Sequence, residues 1–319
     1  MPDTTFYTNN PVQDSAADFM APTQGGDGYK QNYYQPTGGP LPITIIFLLI
    51  IAFGWMAVRR VLKTGNTKNI QAGANGNDEA GDTPYYIYEG SKLGLGNDEI
   101  TAIIVKHYPF YNQLLPTVRY RFQQRLFDLI KAKSFIIYSQ EPFKEMPVLT
   151  SAAAVHLTLG LDEYLLPWFK YIAIHPQAYF AADGLRILAG NVEGEIITVA
   201  WDQLLKGLGT PNDGNNVGLH EMAHALYYQQ AVVYKRKEAD FSTSFEKVMQ
   251  EGEEVYKLKD TQHILYSDYA YRDLQEFWAE SVEIFFEKPA EMKKCYPQIY
   301  DTIKGLLKQD PVNTGNPLC

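Results

Sequence analysis

The tightest constraint on this chain is an eleven-residue stretch, Asn216 to Leu226, in which two histidines and a glutamate are set among apolar residues. His220 and His224 stand four apart. On a helix they share one face, about 5–6 Å from each other, and can turn two ring nitrogens onto one ion. Glu221 follows roughly 100° further round, where a carboxylate can take a proton from water at an open coordination position. Val217, Leu219, Met222, Ala223, Ala225 and Leu226 make the helix apolar nearly all round, which is the pattern of a buried helix. Asn215 and Asn216 close a turn-rich segment and are its N-cap candidates. Polar groups buried without a partner are costly. Either histidine alone reads as a packing residue bonded to backbone. Both at this spacing, with Glu221 between them, read as half a metal site.

The other half has to come from elsewhere in the chain, and with Cys295 and Cys319 as the only cysteines it has to be carboxylate or imidazole. A second helix is expected from Tyr269 to Glu287, with Leu274, Phe277, Trp278, Val282 and Phe285 on its apolar face. Glu276, Glu280, Glu283 and Glu287 form a stripe at i, i+4, i+7 and i+11. Such stripes are usually solvated, but Ala279 lies within this one, and a small residue there permits close packing against another helix. A His-His-Glu set leaves a fourth position for water, which is the catalytic pattern rather than the closed structural one. Glu276 is the expected ligand and Glu280, one turn on, the expected partner of a ligand imidazole. Glu283 is the competing ligand.

The 319 residues, 45% of them apolar, fill one domain of about 200 residues plus extensions. A net charge of −9 without a basic run argues against nucleic acid. Residues 1–40 are polar and aperiodic and are expected to form a disordered, non-cytoplasmic tail. Residues 41–58 carry no ionisable group and would span about 27 Å as a helix, enough to cross a bilayer once. The preceding region is too long and too acidic for a cleavable signal peptide. Arg59, Arg60, Lys63 and Lys68 follow the run, whereas Lys30 alone precedes it. The positive-inside rule then places the N-terminus outside and the folded domain in the cytoplasm, at the cell inner membrane. A flexible linker is expected over 59–84, the folded domain over 85–312 and a tail over 313–319.

Within the domain, Pro116 opens a helix running to about Lys133, with Val118, Phe122, Leu126, Leu129 and Ile130 on one face. A second helix is expected over Ser151 to Leu159, with His156 a packing residue. Short strands are expected at Phe135 to Tyr138, Tyr171 to His175 and Glu195 to Trp201, and a charged helix over Ser244 to Lys257. The strand before the histidine helix could receive an extended peptide at its edge.

His220-Glu-Met-Ala-His224-Ala-Leu, followed by Tyr269-Ala and Gln275-Glu276-Phe-Trp-Ala, resembles the zinc-dependent peptidase family of Mlc titration factor A. That family is similar in its catalytic core to the metalloprotease domain of anthrax lethal factor. Further matches are Val199-Ala-Trp-Asp202, Phe285-Phe-Glu-Lys-Pro289 and the closing helix from Pro297 to Lys308 with Gln309-Asp-Pro311. They extend the resemblance over about residues 100–312. It implies an α+β, zincin-like domain, mostly helical with a small sheet, that hydrolyses peptides or proteins. His220, His224 and Glu276 would bind one zinc ion and Glu221 would be the general base to a zinc-activated water. Tyr269 would face the site, where its phenol could stabilise an oxyanion. The sequence departs from the family at Tyr227, where Asp is usual, and in its membrane span. The family's partner, a glucose-responsive repressor, is therefore not carried over. Two functions stand against each other: a membrane-anchored zinc peptidase, and a membrane-tethered zinc-containing protein that sequesters a cytoplasmic regulatory partner. The intact Glu221 favours the enzyme.

Overall fold

Short hydrophobic strands between helices build one mixed sheet in the computed structural model, which describes residues 74–78, 81–139, 144–181, 186–233, 239–257, 265–313 and 317–318. The strands are β1 (Ala74–Asp78), β2 (Gly81–Glu89), β3 (Ser134–Ile137), β4 (Tyr171–His175), β5 (Tyr179–Phe180), β6 (Ile187–Leu188), β7 (Gly190–Glu193) and β8 (Ile196–Ala200). The main sheet runs β1-β2-β3-β4-β8-β7, and β5 pairs with β6 apart from it. The β3–β4 and β4–β8 pairs are parallel and the other main-sheet pairs antiparallel. Phe135, Ile172 and Ile197 lie in register across the parallel strands, as do Ile137, Ile174 and Val199, and all six are buried. Burial of this kind is what parallel strands require.

Two expectations change here. The linker expected to residue 84 contains β1 and the start of β2: β1 covers the outer edge of β2, whose Tyr86–Glu89 stretch pairs with β3. Its Gly, Asn and Asp content had hidden it. The strand ending at Ala200 is not an edge: β8 is flanked by β4 and β7, and among the described residues the edge beside it is β7.

The helices are α1 (Asn97–His107), α2 (Pro109–Gln113), α3 (Pro116–Ala132), α4 (Glu145–Thr158), α5 (Trp201–Gly209), α6 (Val217–Tyr227), α7 (Ala239–Lys257), α8 (Leu274–Glu287), α9 (Pro289–Cys295) and α10 (Pro297–Leu307). Helix α4 starts six residues before its expected first turn, at Glu145, and is buried along nearly all its length. Such burial leaves no water for its polar groups. Thr150 and Thr158 return their hydroxyls to Met146 O and Ala154 O, and Arg125 of α3 donates to Thr158 O and Leu159 O at the C-terminus. His156 stacks on Phe110 at 3.5 Å, and burial holds its pKa down at about 3. It is a neutral packing residue, as expected. Gln309, just past α10, donates to His156 O and Leu157 O, and Tyr300 donates to Asp310, so the closing segment is pinned to α4 and to its own helix.

Among the described residues no helix is long and apolar enough to cross a membrane. The 1–40 tail and the 41–58 run lie outside the described residues.

Candidate metal centre

Helices α6 and α8 carry the candidate site and run antiparallel. Asn216, at the start of α6, meets Glu283 and Glu287 near the end of α8, while Trp278 Nε1, in the first half of α8, donates to Ala223 O at 2.9 Å. Each helix has its own start. Asn216 Oδ1 accepts from Leu219 N, and Asp273 Oδ1 accepts from Gln275 N and Glu276 N. Asp273 thereby shortens the second helix, and Tyr269 lies in the turn before it rather than in its first turn. Ala279 is fully buried, and the close approach it allows brings carboxylates onto the histidine face.

Three side-chain atoms converge there. His220 Nε2 lies 3.1 Å from His224 Nε2 and 3.2 Å from Glu276 Oε2, and His224 Nε2 lies 3.4 Å from the same oxygen. Tetrahedral zinc with bonds of about 2.0–2.1 Å separates its donors by about 3.3 Å, so the triangle fits such an ion. The donor set, two imidazoles and a carboxylate, fits it also. His220 is oriented from behind, with Nδ1 2.6 Å from Glu283 Oε1; a proton on Nδ1 leaves the Nε2 lone pair aimed into the triangle. The other oxygen of Glu283 accepts from Asn216 N, tying His220 and the helix start to one carboxylate.

That role had been expected of Glu280, and the structure corrects it. Glu280 accepts instead from the backbone N–H and hydroxyl of Ser267, at 2.5 and 2.8 Å. The cause is helical phase. Seven residues bring Glu283 back to within about 20° of Glu276, whereas four carry Glu280 about 40° to the other side. Glu283, the competing ligand, therefore addresses the far nitrogen of His220, outside the triangle. Nor is the acidic stripe solvated: Glu280, Glu283 and Glu287 are buried, and Glu287 accepts from Asn212 N and Asn216 Nδ2.

The charges are matched to positive occupancy. Burial would raise the Glu276 carboxyl, but hydrogen bonds with His220 and His224 outweigh it and hold the group well below its ordinary range. Burial likewise works against charge on His220, yet Glu283, with hydrogen bonds to Glu276 and Glu283, holds its pKa well above the usual histidine value. A proton and a metal ion compete for this place. Tyr269 OH donates to Glu276 Oε1 at 3.2 Å, and the Arg272 guanidinium lies over its ring. Burial, then the Glu276 charge, keeps that phenol protonated.

Glu221 follows His220 about 100° round α6. It is 5% exposed, lies against Gly190 of β7, and accepts no hydrogen bond from a described residue. Burial raises its pKa to about 7, with His220 and His224 pulling the other way. Tyr227, where an Asp is usual, stacks on Phe245 of α7. The sequence reading missed the part Gly190 plays beside Glu221, because β7 is four residues long and carries no alternation.

A half-buried histidine pair, a facing carboxylate and a buried acid one residue along are what a metallopeptidase site needs, and similarity to known proteins puts the chain in that class. Residues 96–308 match the family of glucose-regulated metallopeptidases M90, and the chain belongs to that family. An uncharacterized protein of Synechocystis, slr2042, is 24% identical over 237 residues, covering 66% of this chain and 84% of the relative.

Proposed function

We propose that this chain is a membrane-anchored zinc peptidase that cleaves peptide or protein substrates on the cytoplasmic side of the cell inner membrane. The triangle of His220, His224 and Glu276 donor atoms, with the Glu221 carboxyl one residue from the first histidine, carries the reading. Those three residues would hold the ion. Zinc, when bound, supplies Lewis acidity that makes water a nucleophile near neutral pH and polarises a carbonyl.

The remaining work falls to the protein. Glu221 accepts the proton of the attacking water and returns it to the leaving amine, and a carboxyl raised toward neutrality is suited to both transfers. Tyr269 can turn its phenol proton from Glu276 to a developing oxyanion. The open edge of β7, beside Glu221, can pair with an extended peptide. The anchor rests on the uncharged run over 41–58 and the four basic residues that follow it.

The test is zinc content and hydrolysis of a mixed peptide library, for wild type and Glu221→Gln. One zinc in both, with cleavage by wild type alone, is the expected result. One zinc in both and no cleavage by either would replace catalysis with sequestration of a partner at the membrane.

A further inference from the structure

Several described glycines sit where a side chain would collide with a neighbour. At Gly90 and Gly160 the neighbour is a backbone carbonyl, and at Gly218 and Gly252 it is the side chain of Leu204 or Phe277. Gly190 differs in kind. A Cβ there would lie 2.3 Å from Glu221 Oε1, 2.4 Å from its Cγ and 2.5 Å from its Cδ. All three atoms belong to the arm that carries the carboxyl. Gly190 does not have a positive φ, unlike Gly194 in the adjoining turn, so its backbone conformation is open to other residues. Space, not conformation, is what glycine supplies here.

Neither wall of that space is free to retreat. Gly190 pairs with Val199, a fully buried residue of β8, and Ala200 N donates to Ala189 O at 2.7 Å immediately beside it. On the other side, α6 is locked by Glu283 through His220 and by Trp278 through Ala223 O. Only the Glu221 arm can yield. Ordinary carbon contacts begin near 3.5 Å, so an added methyl would drive the arm aside by about 1 Å.

We propose that Gly190 is a positioning residue for Glu221, its bare backbone holding open the place from which the carboxyl reaches the reacting water beside the β7 edge. The proposal rests on the reading of Glu221 as general base. A displacement of about 1 Å at a proton-transfer group costs on the order of 10²-fold in rate. The metal triangle is held separately, by Glu283 behind His220 and by Glu276 of α8, and stays in place.

The experiment is a two-residue cycle of wild type, Gly190→Ala, Glu221→Ala and the double variant, all as the full chain loaded with zinc. Zinc content, peptide hydrolysis and Tm are read for each. Gly190→Ala is expected to keep one zinc, to lose about 10²-fold in kcat with KM nearly unchanged, and to lower Tm by about 3 °C or more. In the Glu221→Ala background the same substitution should leave Tm unchanged or raise it, since the carboxyl arm is gone. A kcat within twofold of wild type, or an equal loss of Tm in both backgrounds, overturns the proposal. If wild type cleaves no peptide, the peptidase reading fails by itself. The Tm cycle then still decides whether Gly190 sets the place of Glu221.

Discussion

His220 and Glu221 are adjacent in sequence and share a helical turn, yet they are held by opposite means. The histidine is wired at both nitrogens, to Glu283 on one side and to the donor triangle on the other, and Glu283 is anchored in turn on Asn216 N. The glutamate accepts no hydrogen bond from a described residue and is placed by a neighbour that has no side chain. A ligand has to be rigid, since an ion tolerates little error in its donors. A base has to move a proton in both directions, and a partner that held its carboxylate would weaken it for one of them. On α6 the histidine is placed by bonds and its neighbour by clearance.

Substitutions separate the two, and the largest effects belong to the bonded side chains. His224→Ala and Glu276→Ala should each abolish stoichiometric zinc and with it all measurable hydrolysis. Full zinc retention by Glu276→Ala, with loss in Glu283→Ala, would reverse the ligand assignment. Tyr269→Phe should keep zinc and reduce kcat by about 10²-fold; an unchanged kcat would reduce the tyrosine to a packing partner of Arg272. Glu283→Gln should weaken zinc binding by about 10–100-fold, as loss of a ligand's orienting partner does, while Glu280→Gln should leave it within a few-fold. Competition titration against a chromophoric chelator reads both. The reverse ranking would restore Glu280 to the role the sequence suggested.

The smallest effect is one of pH. Burial lifts Glu280 from its ordinary value near 4.5 to about 7. A carboxyl raised by folding favours the folded state while it is protonated. Its contribution is complete below about pH 4.5 and is lost as pH rises through about 7, at most about 3 kcal/mol. Urea unfolding at pH 5 and pH 8 should show a smaller stability difference in Glu280→Gln than in wild type. An identical difference would mean that Ser267 stabilises the charged form enough to cancel the burial.

What was legible in the sequence was what obeys a single period. His220, Glu221, His224 and the cap Asn216 are local to one helix, and their mutual geometry follows from 3.6 residues per turn. Glu276 was legible because Ala279 marked the packed side of its helix. The choice between Glu280 and Glu283 was not, because it depends on the antiparallel course and phase of two helices that sequence spacing does not fix. Tyr269 came from the resemblance alone, and the cap at Asp273 that sets it outside the helix was overlooked. The β1–β2 hairpin was concealed by a composition that also suits a linker. The edge strand β7 was too short to announce itself, although Gly190 within it lies against Glu221.

The candidate ligands come from two helices far apart in the chain, and that separation would act on the unfolded protein. An ion joining His224 to Glu276 would close a loop of 52 residues, the difference between the two positions. A cross-link over such a span removes chain entropy worth about 4 kcal/mol, which is what a disulfide of the same reach would contribute. The chain has two cysteines and no disulfide framework to do this. An ion held there would also staple the domain, and a chelator would loosen the stretch between α6 and α8 before it disturbed the sheet.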